Sequence, residues 1–120
     1  MGNDVVDLKD PENIGKGRDD RFLGRVFTAG ERELIASVPS HDTLLWSLWA
    51  AKEAAYKAVS QADPTVCSTP HRYRVVLDKG DATRKIVRLA GKVITPRGEL
   101  VIEVAVAGDW VHALAAGAEE

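Results

Sequence analysis

The sequence has little of three features that would each point to a class of protein. It contains one cysteine, Cys67, so it can hold neither an internal disulfide nor a zinc site built from several cysteines. It has no apolar run of about 18 residues and no basic segment followed by an apolar one at its start, so we expect neither a membrane span nor a signal peptide. It also lacks a basic excess, because 16 lysines and arginines stand against 18 acidic residues, for a net charge of −2. We therefore expect a cytoplasmic protein that binds neither membranes nor nucleic acid.

The rest of the composition is that of a globular domain. Hydrophobic residues make up 45% and charged residues 28% of the 120 residues, which favours one domain, over residues 1–120, with a core of its own. Helical patterns dominate the first half, whereas short apolar stretches separated by turns dominate the second half. We predict an α+β fold in which helices pack on one face of a mostly antiparallel sheet.

Three helices are expected in the first half. A short helix is predicted over residues 19–27, and Thr28 followed by Glu31 has the capping-box spacing that begins a second one. The strongest helical pattern, rich in leucine and alanine, covers residues 43–60. Strands are predicted around Val5 to Leu8, where a buried strand is expected, and over 73–77, 86–89, 92–95, 100–106 and 110–115; Lys79-Gly80-Asp81 and Gly91 are among the predicted breaks.

The helix over residues 43–60 carries too few charges for a helix on a protein surface. Its charged side chains are Lys52, Glu53 and Lys57, and large apolar residues and alanines cover most of its circumference. We therefore expect protein on most sides of this helix, and each charge then needs a counter-charge, a metal or a ligand. Glu53 and Lys57, four residues apart, could alternatively pair with each other, which would contribute only about 0.3–0.5 kcal/mol.

Two segments resemble the signatures of the 4'-phosphopantetheinyl transferase superfamily. Residues 2–8, GNDVVDL, resemble its opening motif, in which a glycine and any residue precede an aspartate that enters a strand. Residues 49–57, WAAKEAAYK, resemble its second motif, with an aromatic residue, two small residues, Lys-Glu-Ala and a second lysine four places after the glutamate. Residues 21–28, RFLGRVFT, look like the small holo-acyl-carrier-protein synthase branch. The segments occur in the family's order, and the resemblance implies its fold.

The resemblance also implies an activity. Such an enzyme transfers the 4'-phosphopantetheine arm of coenzyme A to a serine of an acyl or peptidyl carrier protein and releases 3',5'-ADP. Asp4 and Glu53 match the family's metal-binding carboxylates, and Mg²⁺ prefers such oxygen ligands together with substrate phosphates. Lys57 matches a lysine that contacts phosphate, so the implied catalytic residues are Asp4, Glu53 and Lys57. Lys52 matches the first lysine of the motif and is expected to shape the site or to contact a phosphate of coenzyme A.

Partners are implied as well. Arg18, Arg21 and Arg25 recur at spacings of three and four residues, which predicts one helical face. Because the resemblance implies a carrier with an acidic helix around its target serine, we expect this face to dock the carrier, the alternative being an ordinary solvated surface. The small branch also implies a homotrimer with sites between identical subunits, and a dimer or a monomer is the alternative.

The second half departs from the synthase branch. That branch usually has Gly-Lys-Pro and Ser-Ile-Ser-His segments, whereas this chain has RGEL at 97–100 and VAG at 106–108. We expect a structural role for Asp7, which strand alternation places opposite Asp4, and for His112. The departures leave open a catalytically weak module that binds a carrier protein or coenzyme A. A magnesium-dependent phosphohydrolase fits less well, because it would need several clustered Asp and His ligands.

Overall fold

A computed structural model describes residues 1–78 and 88–117 of the chain. Within these residues, three helices accompany a five-stranded antiparallel sheet with the strand order β1-β5-β4-β3-β2. The elements are β1 (Gly2–Asp7), α1 (Asp20–Val26), α2 (Ala29–Ser37), α3 (His41–Ala62), β2 (Arg74–Leu77), β3 (Arg88–Thr95), β4 (Gly98–Ala107) and β5 (Trp110–Gly117), with 3-10 turns at Lys16–Arg18 and Pro70–Arg72. The predicted α+β architecture is thus confirmed.

Helix α3 lies against the sheet and fills the centre of the core. Because side chains alternate along each strand, one sheet face carries the residues that pack against this helix. Fully or almost fully buried residues on the two sides of this interface include Leu44, Leu48, Ala51, Ala54, Val93, Ile102, Val104, Val111 and Ala113. The other sheet face carries exposed apolar side chains, namely Val5, Val101, Trp110 and Leu114.

The helices agree closely with the prediction. Asp19 caps α1 by accepting a hydrogen bond from the Phe22 amide, and Thr28 and Glu31 form a complete capping box at the start of α2. Helix α3 extends two residues further at each end than predicted. Although α3 is long, the described part of the chain contains no helix with the length and hydropathy that a membrane crossing requires.

The strands differ from the prediction in two places. The predicted buried strand, β1, lies at the edge of the sheet and exposes 53% of Val5, because α3 covers only its other face. The predicted break at Gly91 is wrong, since β3 runs through this residue. Glycine is needed there because a Cβ atom would lie 2.2 Å from the Val76 carbonyl oxygen of β2. The predicted turn at Lys79-Gly80-Asp81 and the start of the strand predicted over 86–89 lie outside the described residues.

Strand β1 packs unusually close to α3. A Cβ atom on Gly2 would lie 2.0 Å from the Ala54 carbonyl oxygen and 2.7 Å from the Ala58 amide nitrogen. Glycine on the strand and alanine on the helix therefore allow their backbones to approach each other directly. This close packing brings the two segments with signature motifs next to each other.

Candidate active site

Asp4, Glu53 and Lys57 meet where β1 packs against α3. Glu53 and Lys57 lie one turn apart on α3, and Asp4 faces them from β1. The Lys57 Nζ atom donates hydrogen bonds to Asp4 Oδ1 at 2.8 Å and to the Asn3 carbonyl oxygen at 3.0 Å. The alternative ion pair between Glu53 and Lys57 is thus replaced by one between Lys57 and Asp4. Asp4 and Glu53, which are 49 positions apart in the sequence, thus form one site with Lys57.

Glu53 is half-buried and has no direct partner for its charge among the described residues. It makes no hydrogen bond or ion pair with another residue in the described part of the chain. Burial raises the pKa of Glu53, the negative charge of Asp4 raises this pKa further, and Lys57 opposes the shift. Two neighbouring carboxylates, one of them desolvated, create a local excess of negative charge that a divalent cation would relieve.

Both carboxylates line a cleft of about 440 Å³. Trp49, one turn before Glu53 on α3, and Trp110, the first residue of β5, also line it. The cleft is therefore acidic at Asp4 and Glu53, with aromatic side chains beside them. Trp110 was not singled out from the sequence, because the start of a strand carries no chemical signal.

The donor set of the cleft fits magnesium. Mg²⁺ is usually held by one or two carboxylates, while substrate phosphates and water complete its octahedral coordination. Asp4 and Glu53 supply two carboxylates, and residues 1–78 and 88–117 contain no cluster of three or more potential metal-ligating residues. Asp7 also lines the cleft, but its Oδ1 atom accepts the Lys9 amide at 2.9 Å and so supports the turn after β1.

Lys52 lies in the core instead of the cleft. Its side chain is 1% exposed, and its Nζ atom lies 2.8 Å from Glu31 Oε1. The same atom donates to the carbonyl oxygens of Pro70 and Tyr73, at 3.1 and 2.6 Å. The predicted contact of Lys52 with coenzyme A is not supported by this placement, because the ammonium group is buried and all three of its donors are in use. The sequence correctly indicated the need for a counter-charge but did not identify Glu31.

The three arginines do not form one row on a helix. Arg18 ends the 3-10 turn, whereas Arg21 and Arg25 lie one turn apart on α1. This corrects the predicted helical face, because the cap at Asp19 starts the helix after Arg18. All three side chains are exposed, and no ion pair involves them among the described residues.

Helix α1 lies beside the aromatic wall of the cleft. The Phe22 ring centroid is 6.1 Å from that of Trp49 and 5.7 Å from that of Trp46. The exposed pair Arg21 and Arg25 is thus carried by a helix that contacts Trp49, a residue of the cleft itself. A protein bound to α1 would lie next to the cleft.

Comparison with known proteins decides the family. A family model of the 4'-phosphopantetheinyl transferase superfamily matches residues 1–115. The chain belongs to this superfamily. A holo-[acyl-carrier-protein] synthase of Nitrobacter hamburgensis is 27% identical, with 92% of this chain and 85% of that protein covered. A mitochondrial holo-[acyl-carrier-protein] synthase of Eremothecium gossypii is 36% identical over 65% of this chain and 44% of that protein.

A solved structure supports the fold of this phosphopantetheinyl transferase superfamily member. The crystal structure of holo-[acyl-carrier-protein] synthase from Neisseria meningitidis matches with a TM-score of 0.65 and 20% identity, covering 95% of this chain and 93% of that chain. The superfamily match includes most of the second half, where the sequence motifs depart from the synthase branch. In that half, His112 is exposed on the sheet face opposite α3 and does not line the cleft.

Proposed function

We propose that this protein transfers the 4'-phosphopantetheine arm of coenzyme A to a serine hydroxyl of an acyl or peptidyl carrier protein and releases 3',5'-ADP. The observation that carries the proposal is the meeting of Asp4 and Glu53, from two distant signature segments, in one cleft beside Lys57. The exposed free thiol of Cys67 agrees with a reducing cytoplasm as the place of this reaction.

Each residue of the cleft has a task in this proposal. Asp4 and Glu53 would hold magnesium, and a bound magnesium ion would supply positive charge against the pyrophosphate during attack on the β-phosphate. Lys57, whose side chain is 48% exposed, extends from the edge of the same site and binds a phosphate oxygen of coenzyme A. It thereby stabilises the negative charge that develops on the departing 3',5'-ADP. Trp49 and Trp110 line the space beside the carboxylates and limit access of water to the phosphate.

The mass of a carrier protein tests this function. Purified chain, coenzyme A and Mg²⁺ are expected to add the mass of one phosphopantetheine to a carrier, and a carrier with its target serine replaced by alanine serves as the control. Chelation of the metal with EDTA should stop the reaction, and added Mg²⁺ should restore it. Binding of carrier or coenzyme A without any mass gain would instead support the alternative of a catalytically weak binding module.

Charge reversal on α1 tests the docking of the carrier. Arg21→Glu with Arg25→Glu is expected to raise the Michaelis constant for the carrier roughly tenfold or more, because exposed charges steer an acidic partner toward the site. The constant for coenzyme A should stay unchanged, since neither arginine lines the cleft. Initial rates over a range of carrier and salt concentrations measure both effects.

A charge-matched control separates docking from net charge. Arg74→Glu, on the edge strand β2 at the other end of the sheet from Trp110 and Leu114, matches the single variant Arg21→Glu in charge and should leave the Michaelis constant for the carrier near its original value. An unaltered salt dependence in the α1 variant would contradict docking at Arg21 and Arg25.

The homotrimer with shared sites is proposed from the resemblance to the small branch, and the exposed sheet face offers a contact surface for it. Val101, Trp110 and Leu114 are 48%, 54% and 39% exposed on this face, and a second copy of the chain could cover them. Trp110 also lines the cleft, so a neighbouring subunit on this face would border the site. Light scattering should give three times the monomer mass, and Leu114→Lys should lower both that mass and the activity. A wild-type monomer with full activity would contradict the shared site.

A further inference from the structure

The most deeply buried ion pair of the described residues lies outside the cleft. The Glu31 and Lys52 side chains are 3% and 1% exposed, and their charged atoms are 2.8 Å apart. Glu31 Oε1 also accepts the Thr28 amide at 2.8 Å, and Oε2 accepts the Val75 amide at 2.7 Å. The Glu31 carboxylate therefore joins three elements, namely α2 at Thr28, β2 at Val75 and α3 at Lys52.

Lys52 extends this network on its own side. Its two further hydrogen bonds end on the Pro70 and Tyr73 carbonyl oxygens, which flank the turn before β2. Its Nζ atom also lies 5.5 Å from the centroid of the Phe27 ring, directly after α1. The pair is therefore the junction of the segments that surround the middle of α3.

A buried ion pair of this kind contributes more to the relative orientation of the elements that it joins than to the stability of the fold. Removing two charges from water offsets much of their attraction, so apolar side chains of similar volume often stabilise a core equally well. Burial accordingly lowers the pKa of Lys52, although the charge of Glu31 opposes this shift. Directed hydrogen bonds to backbone groups, unlike apolar contacts, hold α3 at one rotation and one height relative to β2 and α2.

Two routes lead from this junction to the cleft. The first is covalent, because Lys52 directly precedes Glu53. The second passes through aromatic rings, since the Phe27 ring contacts that of Phe22 at 6.2 Å and Phe22 contacts Trp49 at 6.1 Å. We infer that Glu31 and Lys52 are positioning residues that orient Glu53 toward Asp4 and hold α1 beside the cleft. The inference rests on the proposed function for its role in transfer.

The test removes the charges while keeping the volume. The double variant Glu31→Gln with Lys52→Met leaves buried backbone groups at Val75, Pro70 and Tyr73 without their partners, so it is expected to melt below the wild type and yet to stay folded under assay conditions. Its kcat should nevertheless fall at least tenfold, and its dissociation constant for Mn²⁺, measured by electron paramagnetic resonance with coenzyme A present, should rise at least fivefold. Val104→Ala, a core change on β4, is the control, and it should lower the melting temperature without changing kcat or Mn²⁺ affinity below the transition.

A second variant keeps the test decisive if the double variant does not fold. Lys52→Arg retains the charge, but its planar donors do not match the three acceptors around Nζ, so kcat and Mn²⁺ affinity should again fall. Wild-type kcat and Mn²⁺ affinity in either folded variant would overturn the inference and leave the pair as packing alone. If the wild type modified no carrier, the proposed function would fail, whereas Mn²⁺ affinity would still report whether the pair orients Glu53.

Discussion

Glu53→Gln and Asp4→Asn are each expected to lower the transfer rate by roughly 10²–10³-fold, because each removes one charged ligand from a two-carboxylate cation site. The amides keep the shape of the side chains, and Glu53 makes no hydrogen bond to a described residue that the change would break. Rates are measured as carrier mass gain at saturating coenzyme A and Mg²⁺. Near wild-type turnover in either variant would contradict the assigned metal site.

The stability of Glu53→Gln should move in the opposite direction to its activity. A carboxyl group whose pKa is raised on folding destabilises the folded state at pH values above that pKa, and the cost disappears as the pH falls through it. Without Mg²⁺ at neutral pH, the glutamine variant should therefore melt at or above the wild-type temperature.

Asp7→Asn is the matched control for the transfer rates of Asp4→Asn and Glu53→Gln, and its rate should stay within a few-fold of wild type. A loss equal to that of Asp4→Asn would instead identify Asp7 as a third ligand.

Gly2→Ala is expected to damage both stability and turnover. The new Cβ atom would lie 2.0 Å from the Ala54 carbonyl oxygen, so β1 must move away from α3. Overpacking of this kind costs typically about 1–3 kcal/mol. Asp4, two residues later on the same strand, would move with it and separate from Glu53. Because β1 is an edge strand, paired with β5 alone among the described strands, it can shift without breaking the rest of the sheet.

Two other glycines separate the effect on the site from the effect on stability. Gly91→Ala creates a comparable clash, 2.2 Å from the Val76 carbonyl oxygen, but on β3, which is far from Asp4 in the sheet. It should lower the melting temperature while leaving the rate per folded molecule unchanged. Gly30→Ala meets no atom within 4 Å and should be neutral or stabilising. Equal rates per folded molecule for Gly2→Ala and Gly91→Ala would mean that Gly2 does not set the Asp4–Glu53 geometry.

Local signals account for the elements that could be predicted from the sequence. The Thr28–Glu31 capping box and the Asp19 cap define helix starts through side chains that contact backbone groups only a few residues away. Alternation of buried and exposed residues defines most strands in the same way. Gly91 was misjudged because glycine usually interrupts a strand, whereas here the closeness of β2 requires it.

The sequence by itself determined most of the elements and the sparse charge of α3, because these follow from neighbours along the chain, and its resemblance to the family motifs implied the candidate residues Asp4, Glu53 and Lys57. The tertiary structure decided which charges meet. Lys57 pairs with Asp4 from another element, and Lys52 pairs with Glu31 in the core. Partners of this kind lie in distant segments, and their meeting depends on how closely the backbones of those segments approach. No local pattern encodes that distance, which the packing of the whole core establishes.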